Sequence, residues 1–197
     1  PAPCDRPRSV RDQDGNRVSV GARRGKSGSM ILRRAVPDDA TAVAEMHVRS
    51  WQVGYRGLVP DEDLDTLRPE SWADRYTFGS DAASDPMTIV ALRDDAVVGF
   101  VTTAPTFDDD VDGSGQLCAL YVDPAAWGSG IGSTLLRAGR KNLIYRGFTD
   151  AVLWVLVGNR RAERLYERDR WRPDGARRTE EIRGIEVDER RFRRRLV

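Results

Sequence analysis

The stretch from Gln116 to Ser133 constrains the fold of this 197-residue chain more than any other part of its sequence. An apolar run of strand length, 117–122, stops at Asp123-Pro124, and a turn with the sequence Gly-Ser-Gly-Ile-Gly follows at 128–132. Leucines at 135 and 136 then fit the inner face of a helix. A strand that passes through a glycine-rich turn into a helix presents unpaired backbone N–H groups to an anion. The stretch therefore predicts a phosphate-binding turn between a strand and a helix.

Length and composition indicate one globular domain. A chain of this size can bury one sizeable core, and 40% of its residues are hydrophobic while 32% are charged. Residues 1–29 are rich in Arg, Ser, Gly and Pro, which predicts a disordered extension. Residues 30–197 are expected to form the domain. No apolar run approaches the ~20 residues that a membrane helix needs. Only two cysteines, Cys4 and Cys118, occur, which fits a reducing compartment. We therefore expect a cytoplasmic protein with no membrane partner.

The net charge of +1 conceals an uneven distribution along the chain. Residues 1–29 carry a net charge of +4, residues 30–159 carry −8, and residues 160–197 carry +5. The acidic middle could attract a cationic substrate, and the basic groups could attract phosphate. In the C-terminal part the arginines alternate with Glu and Asp and form no continuous basic stripe, so nucleic acid is not expected as a partner.

Hydrophobic periodicity predicts strands and helices along the domain. The expected strands are 31–34, a hairpin of 87–92 and 96–103, 117–122, 152–157, and two pieces near 179–187 and 191–197. The expected helices begin near 37, 61, 70, 131 and 160, and the third of these is expected to run from Glu70 to Phe78. His47, the only histidine, lies on the apolar stripe of the first helix, which is more typical of a satisfied, half-buried side chain than of a catalyst. The acidic run 107–112 is interpreted as a solvated turn.

Two common glycine-rich phosphate sites are excluded by single residues. A P-loop needs Gly-Lys-Ser/Thr at the start of its helix, and this turn has Gly132-Ser133 without a lysine. A dinucleotide fingerprint needs G-x-G-x-x-G and an acidic residue at the end of the next strand, which here ends in Val157-Gly158-Asn159. A third kind of site fits the sequence better.

The run Leu120-Tyr121-Val122-Asp123-Pro124, followed by Trp127-Gly128-Ser129-Gly130-Ile131-Gly132, resembles the acetyl-CoA-binding motif Gln/Arg-x-x-Gly-x-Gly/Ala of the GCN5-related N-acetyltransferases (GNAT). A second match is Asn159-x-x-Ala162-x-x-x-Tyr166, a pattern that this family places after its fifth strand. Two matches in the family's order are far more specific than either alone. The resemblance covers residues 30–197. There are three departures: Trp127 replaces the usual Gln or Arg, Gln116 stands where many relatives carry a Glu, and Arg170-Trp171 replaces the commoner Gly-Phe after the last helix.

The resemblance implies an α/β fold with a mixed sheet of about six to seven strands, splayed fourth and fifth strands and about four helices. It implies acetyl-CoA as co-substrate, with the pantetheine arm between those two strands. The residues expected to bind acetyl-CoA are Leu120, Tyr121, Val122, Trp127, Gly128, Ser129, Gly130, Ile131, Gly132, Ser133, Asn159 and Ala162. No metal is implied.

The implied reaction is attack of a neutral amine on the thioester of acetyl-CoA. The backbone N–H of Val122 would polarise the acetyl carbonyl, and Tyr166 would protonate the departing thiolate. The group that accepts the amine proton stays open, because Gln116 cannot act as a base; His47 or a water chain to an acidic side chain are alternatives. The acceptor would be a primary amine of a small molecule or a peptide. A catalytically inactive acyl-CoA sensor is the alternative function, and a homodimer is an open alternative to a monomer.

Overall fold

The computed structural model describes residues 29–80, 82–182 and 184–197. Apart from Ser29, the extension predicted over 1–29 lies outside these residues. Within the described ranges, seven strands form one sheet in the order β1-β2-β3-β4-β5-β7-β6. The strands are β1 Met30–Arg34, β2 Met87–Arg93, β3 Ala96–Pro105, β4 Gly115–Val122, β5 Asp150–Leu156, β6 Arg172–Ile182 and β7 Ile185–Arg195. Only β4 and β5 pair in parallel, so the sheet is mixed, as predicted.

The described residues also form five α-helices, two of which are short. They are α1 Ala40–Gly54, α2 Asp61–Thr66, α3 Glu70–Ala73, α4 Ile131–Tyr145 and α5 Arg160–Arg168. The third helix ends at Ala73, so the prediction that it extends to Phe78 was wrong. Beyond its end, Tyr76 and Phe78 stack with their ring centroids 5.2 Å apart and pack against the core that α1 covers. The two half-buried rings thus pack against the core from an irregular segment and not from a helix.

The fourth and fifth strands separate, and the reason is local. Strand β4 pairs with β5 only from Gly115 to Leu117. On the other side of β4, Leu117 pairs with Thr103 and Ala119 with Thr102, so Cys118 is an extra residue in the register. A bulge of this kind bends the strand and increases its twist. Strand β4 therefore leaves β5 directly after the bulge, and its last residues border an open gap.

Helices cover both faces of the sheet. Helix α4 packs over the core that contains Leu117, Leu153 and Phe192, and α1 packs over the opposite face. The contact of α4 with β3 is close because of Gly139, where an added Cβ would lie 2.9 Å from Val101 Cγ2. A side chain there would push the helix, and the glycine-rich turn that precedes it, away from the sheet.

The C-terminal residues form a long hairpin whose turn lies near Gly184. The strand predicted over 179–187 crosses this turn, so its boundary was wrong: Ile182 pairs with Ile185 across the hairpin. The error arises because apolar residues stand close to the turn on both sides, at Ile182, Ile185 and Val187, and make the two strands look like one run.

The acidic run 107–112 is not simply a solvated turn. The Arg191 guanidinium, on β7, donates to the carboxylates of Asp108 and Asp110 at 3.2 and 2.5 Å, and to that of Asp174 at 2.7 Å. Its side chain is only 5% exposed, so the acidic run is tied to the C-terminal hairpin. Across the described ranges, no helix has the length and apolar character that crossing a membrane requires.

Candidate functional site

A cleft of about 760 Å³ opens where β4 and β5 separate. It is lined by the end of β4, the glycine-rich turn, the start of α5, and residues of α1, β5 and β7. The sequence-predicted residues that line it are Leu120, Tyr121, Val122, Trp127, Gly128, Gly130, Ile131, Gly132, Ser133, Asn159, Ala162 and Tyr166. Ser129 is not among the lining residues, because its hydroxyl turns back and donates to the Ala126 carbonyl at 2.6 Å.

The backbone of β4 presents hydrogen-bonding groups to this gap. The Asp123 N–H, just after β4, donates to the carbonyl of Val98 in β3 at 2.9 Å. Successive N–H groups of a strand point in opposite directions. The N–H groups of Leu120 and Val122 therefore point away from β3 and into the gap, where β5 no longer pairs with them.

The glycine-rich turn leaves six consecutive N–H groups, from Gly128 to Ser133, unpaired. Among the residues that the structure describes, no acceptor bonds to any of them, and the first hydrogen bond of the turn runs from the Thr134 N–H to the Gly130 carbonyl at 3.1 Å. Gly130 is the N-cap of α4 with φ +85°, a left-handed conformation that a glycine adopts without strain. The turn thus combines a concave row of donors with the positive end of a helix, which suits a phosphate or pyrophosphate group.

Trp127 and Arg161 form one unit beside these donors. The Trp127 indole N–H donates to the Val122 carbonyl at 2.8 Å, and the Arg161 guanidinium carbon lies 3.2 Å from the centroid of the Trp127 ring. Both side chains line the cleft. Arg161 of α5 thus places a positive charge beside the position where the motif usually has Gln or Arg. Sequence reasoning missed Arg161, although it lies inside the Asn159–Ala162 segment.

Helix α5 carries the two residues of the second motif. The Asn159 side-chain carbonyl accepts a hydrogen bond from the Ala162 N–H at 3.2 Å and caps the helix, which leaves the amide nitrogen of Asn159 as a donor at the cleft. Tyr166, two turns further on, is buried with 6% of its surface exposed. Within the described ranges its hydroxyl makes no hydrogen bond. Burial, and to a smaller extent the neighbouring Tyr121 and Glu189, raise the pKa of the Tyr166 phenol.

The side chain of His47 is buried and hydrogen-bonded at both ring nitrogens. The Trp51 indole, which can only donate, bonds to Nε2 at 2.9 Å, so Nε2 is the acceptor and the ring proton is on Nδ1. Nδ1 lies 2.5 Å from the Tyr76 hydroxyl. With its basic nitrogen already occupied, His47 fits the satisfied core histidine that its position on the helix predicts.

Glu189 is a cleft residue that sequence reasoning missed. It lies on β7 opposite Leu156, the last residue of β5, and its side chain is 12% exposed. The Arg178 guanidinium donates to Oε2 through Nε at 2.8 Å, and its Nη2 lies 2.7 Å from the same oxygen. Burial raises the pKa of the Glu189 carboxyl, and the lowering by Arg178 does not cancel it. No spacing in the charged hairpin sequence distinguishes this glutamate from its neighbours.

Gln116 is buried at the base of the cleft. Its Oε1 accepts a hydrogen bond from the Thr106 hydroxyl at 3.4 Å, and an amide has no proton-accepting role near neutral pH. Across the described residues, no group of three or more His, Cys, Asp or Glu side chains is placed to hold a metal ion.

Solved structures with the same fold include coenzyme A complexes. The PaiA N-acetyltransferase from Thermoplasma acidophilum, in complex with coenzyme A, is 19% identical with a TM-score of 0.62 and matches 85% of this chain and 99% of its own. YncA from Salmonella typhimurium, with its cofactor acetyl-CoA, is 18% identical with a TM-score of 0.63 and matches 85% and 94%.

Relatives by sequence are named as acetyltransferases. The uncharacterized N-acetyltransferase YuaI of Bacillus subtilis is 27% identical over 134 residues, which are 66% of this chain and 73% of YuaI. A mycothiol acetyltransferase of Streptomyces avermitilis is 31% identical over 141 residues, 71% of this chain but 42% of that protein. The chain thus spans less than half the length of that relative.

A family model described as the acetyltransferase (GNAT) family matches residues 42–170, which include the bulged strand β4, the glycine-rich turn and Tyr166. This match covers well over half of the chain. The chain therefore belongs to the GNAT family of acetyltransferases.

Proposed function

We propose that this protein binds acetyl-CoA in the gap between β4 and β5 and transfers its acetyl group to a primary amine. The observation that carries the proposal is the combination of six unpaired N–H donors at one end of the gap with the unpaired Tyr166 hydroxyl inside it. Four of the six donor residues, Gly128, Ser129, Gly130 and Ser133, are exposed, so an anion can reach their N–H groups. A ligand with a pyrophosphate at one end and a reactive group at the other fits both features.

The residues along the cleft bind different parts of acetyl-CoA in this proposal. The N–H groups from Gly128 to Ser133 bind the pyrophosphate, and Arg161 adds a positive charge beside them. The Leu120 and Val122 backbone groups and the Asn159 amide hold the pantetheine arm in the gap, as does the wall formed by Ala162 and Tyr121.

The chemistry needs a polarised carbonyl and an acid. The Val122 N–H, which points into the gap, stabilises the negative charge that develops on the acetyl oxygen. The Tyr166 hydroxyl donates its proton to the leaving sulfur. Its raised pKa keeps it protonated until that moment, and phenol and thiol have ordinary pKa values of about 10 and 8.5. Acetyl-CoA supplies the activated acyl group.

The acceptor site is the aromatic part of the cleft. Its wall includes Trp51, Trp72, Tyr76, Phe78 and Phe100. Such a surface suits an acceptor with an apolar body next to its amine. Some relatives are named mycothiol acetyltransferase, so the acceptor of such an enzyme belongs among the compounds to test.

The proposal is tested by following release of free CoA thiol with a panel of amines: small primary amines, peptides with free N-termini or lysines, and the acceptor of a mycothiol acetyltransferase. Turnover of at least one amine above spontaneous hydrolysis supports it. Stabilisation by CoA without turnover of any amine would instead favour the sensor function. If CoA neither binds nor stabilises the protein, the proposal is wrong as a whole.

A further inference from the structure

The cleft contains few groups that could take a proton from an amine. Among the described lining residues, carboxylates occur only in Asp85 and Glu189, and the one histidine has its basic nitrogen occupied by Trp51. Asp85 lies in the loop before β2, where the hydroxyls of Ser80 and Ser84 donate to its two oxygens. Gln116 is an amide. Asp85 thus has a donor on each oxygen, whereas Glu189 keeps one oxygen without a hydrogen bond among the described residues, so Glu189 is the better placed of the two to accept a proton.

The geometry of Glu189 agrees with such a role. Both contacts of Arg178 fall on Oε2, and among the described residues Oε1 accepts no hydrogen bond. Arg178 is itself held in place, because its guanidinium carbon lies 4.3 Å from the centroid of the Trp154 ring. One oxygen of the carboxylate is thus anchored while the other stays available to a ligand.

The position of Glu189 relative to the reacting groups is also suitable. Glu189 lies on β7 opposite Leu156, the last residue of β5, and it lines the same cleft as Val122 and Tyr166. Its charge is close enough to raise the pKa of the phenols of Tyr55 and Tyr166, after the larger effect of burial. A cationic amine between these phenols and Oε1 would have a carboxylate partner in a largely apolar surrounding.

We propose that Glu189 binds the ammonium group of the acceptor through Oε1 and removes its proton before acetyl transfer. This inference rests on the proposed function and adds the group that the replacement of a β4 glutamate by Gln116 leaves undefined. Arg178 is a positioning residue, because it contacts Glu189 and holds the orientation of its carboxylate.

The proton balance of the reaction is simple. The Glu189 carboxylate takes one proton from R–NH3+, which gives a neutral amine and a protonated carboxyl. The amine nitrogen forms a bond to the acetyl carbon, the carbon–sulfur bond breaks, and Tyr166 gives its proton to the sulfur. The second amine proton restores the phenol, and Glu189 returns its proton to water.

Charged groups on the elements around Glu189 set its ionisation. Arg178, opposite Glu189 on β6, favours the ionised carboxylate. Glu180, also on β6, and Asp108, in the loop between β3 and β4, disfavour it. The phenols of Tyr55 and Tyr166 face it from the ends of α1 and α5. A carboxyl whose pKa is raised is, in its ionised form, a stronger base than an exposed glutamate.

The test uses the full chain, acetyl-CoA and an amine that the wild type acetylates, with a pKa near that of lysine, about 10.4. The variants are Glu189→Gln and, as a matched control, Glu180→Gln, which removes another carboxylate near Arg178 but one that does not line the cleft. Three quantities are measured: kcat/KM from pH 6 to 10, the dissociation constant of CoA, and the stabilisation of the CoA complex by the amine.

If Glu189 removes the proton, wild-type kcat/KM is nearly independent of pH between the pKa of Glu189 and that of the amine. In Glu189→Gln it falls by about 10²-fold at pH 7. As pH is raised toward the pKa of the amine, kcat/KM of Glu189→Gln rises about tenfold per pH unit, because only amine that is already neutral can react. The variant keeps its CoA affinity within about twofold but loses the stabilisation by the amine. Glu180→Gln keeps the wild-type CoA affinity, the stabilisation by the amine and the level of the kcat/KM plateau; its only expected change is a small shift of the acidic limb of the profile to lower pH, because a carboxylate that disfavours ionisation of Glu189 is removed.

Two results would overturn the inference. One is a Glu189→Gln variant with wild-type kcat/KM and pH profile. The other is a loss of activity that leaves the shape of the pH profile unchanged, which indicates a structural role. Should Glu189→Gln fail to fold, Glu189→Ala with added formate replaces it, and the expected result is rescue that increases with formate concentration; absence of rescue in a folded variant counts against the inference. Because the test begins with an amine that the wild type acetylates, each of these outcomes concerns Glu189 alone. Failure of the proposed function would appear earlier, as a wild type that acetylates no amine.

Discussion

The Arg161 guanidinium lies on the face of the Trp127 indole, with 3.2 Å between its central carbon and the ring centroid, at the edge of the donor row formed by the glycine-rich turn. A cation over an aromatic face is attracted by the ring quadrupole. Trp127 is itself fixed by its hydrogen bond to the Val122 carbonyl. The two side chains thus place a positive charge where the family motif usually has a polar or basic residue.

This contact predicts that Arg161→Ala weakens CoA binding. A hydrogen bond to a charged group contributes about 1.5–3 kcal/mol, so the dissociation constant should rise at least tenfold. Isothermal titration calorimetry measures it directly. Arg164→Ala is the control: Arg164 lies on the same helix, is exposed, and bonds to the Arg160 carbonyl. Equal effects of the two substitutions would point to general electrostatic attraction and against a specific site.

Gly130 should be needed for both stability and ligand binding. Its left-handed conformation costs a residue with a Cβ about 1–2 kcal/mol, so Gly130→Ala should lower the free energy of unfolding by that amount. It should also weaken CoA binding, since the strain is relieved by moving the donor row. Gly113→Ala is a matched control, because Gly113 has φ +77° and lies in a loop away from the cleft. It should lose similar stability in urea unfolding and keep its CoA affinity.

Tyr166→Phe should lower kcat by ~10²–10⁴-fold with little change in CoA affinity. The phenylalanine keeps the ring contact with Phe192, at 6.2 Å between centroids, so the fold should be preserved. Because the pKa of the Tyr166 phenol is raised, the wild type should show no loss of kcat from phenol ionisation between pH 8 and 10. Steady-state kinetics across this range provide the measurement, and unchanged turnover in the variant would remove Tyr166 from the mechanism.

Alkaline pH should destabilise the protein through two enclosed tyrosines. Burial raises the pKa of Tyr55 and Tyr166, so above about pH 10 the unfolded state releases protons that the folded state retains. The unfolded state then binds fewer protons, and the free energy of unfolding falls as pH rises. The expected loss is about 1 kcal/mol per pH unit for each of the two tyrosines.

Urea unfolding between pH 9 and 11 measures this slope. Tyr55→Phe should reduce it by roughly half, since one of the two groups is removed. Tyr145→Phe should leave it unchanged, because the Tyr145 side chain is 89% exposed. A slope that persists unchanged in Tyr55→Phe would contradict the assignment.

Arg191 should contribute much more to stability than Arg193, two residues further along β7. Removal of Arg191 leaves the carboxylates of Asp108 and Asp174 without their cation in a largely buried setting, with side-chain exposures of 13% and 19%. Breaking such a buried ion pair costs about 3 kcal/mol. Arg193 pairs with Asp150 at 3.4 Å at the surface, where an ion pair contributes about 0–1 kcal/mol. Denaturant unfolding of Arg191→Ala and Arg193→Ala compares them, and similar losses would contradict this prediction.

Local patterns were enough to predict the family and most of the elements. The apolar run of β4, the glycine-rich turn and helix α4 are adjacent in sequence. Their structure depends mainly on backbone conformations that these residues favour locally. The Asn159–Tyr166 motif lies within one helix and its cap, so its spacing also fixes its geometry. The α/β class and the separation of the fourth and fifth strands followed from these motifs through the family.

Tertiary structure decided what depends on residues far apart in sequence. Arg161 contacts Trp127, Glu189 lies opposite the end of β5, and Arg191 binds carboxylates from the loop before β4 and from β6. None of these pairings leaves a periodic signal in the sequence. The contacts of the His47 ring could not be predicted from sequence either, because they depend on which side chains α3 and the loop after it bring to α1. Sequence indicated where an acyl-CoA could bind, and the packing of the C-terminal hairpin against β5 determined which carboxylate lines the cleft.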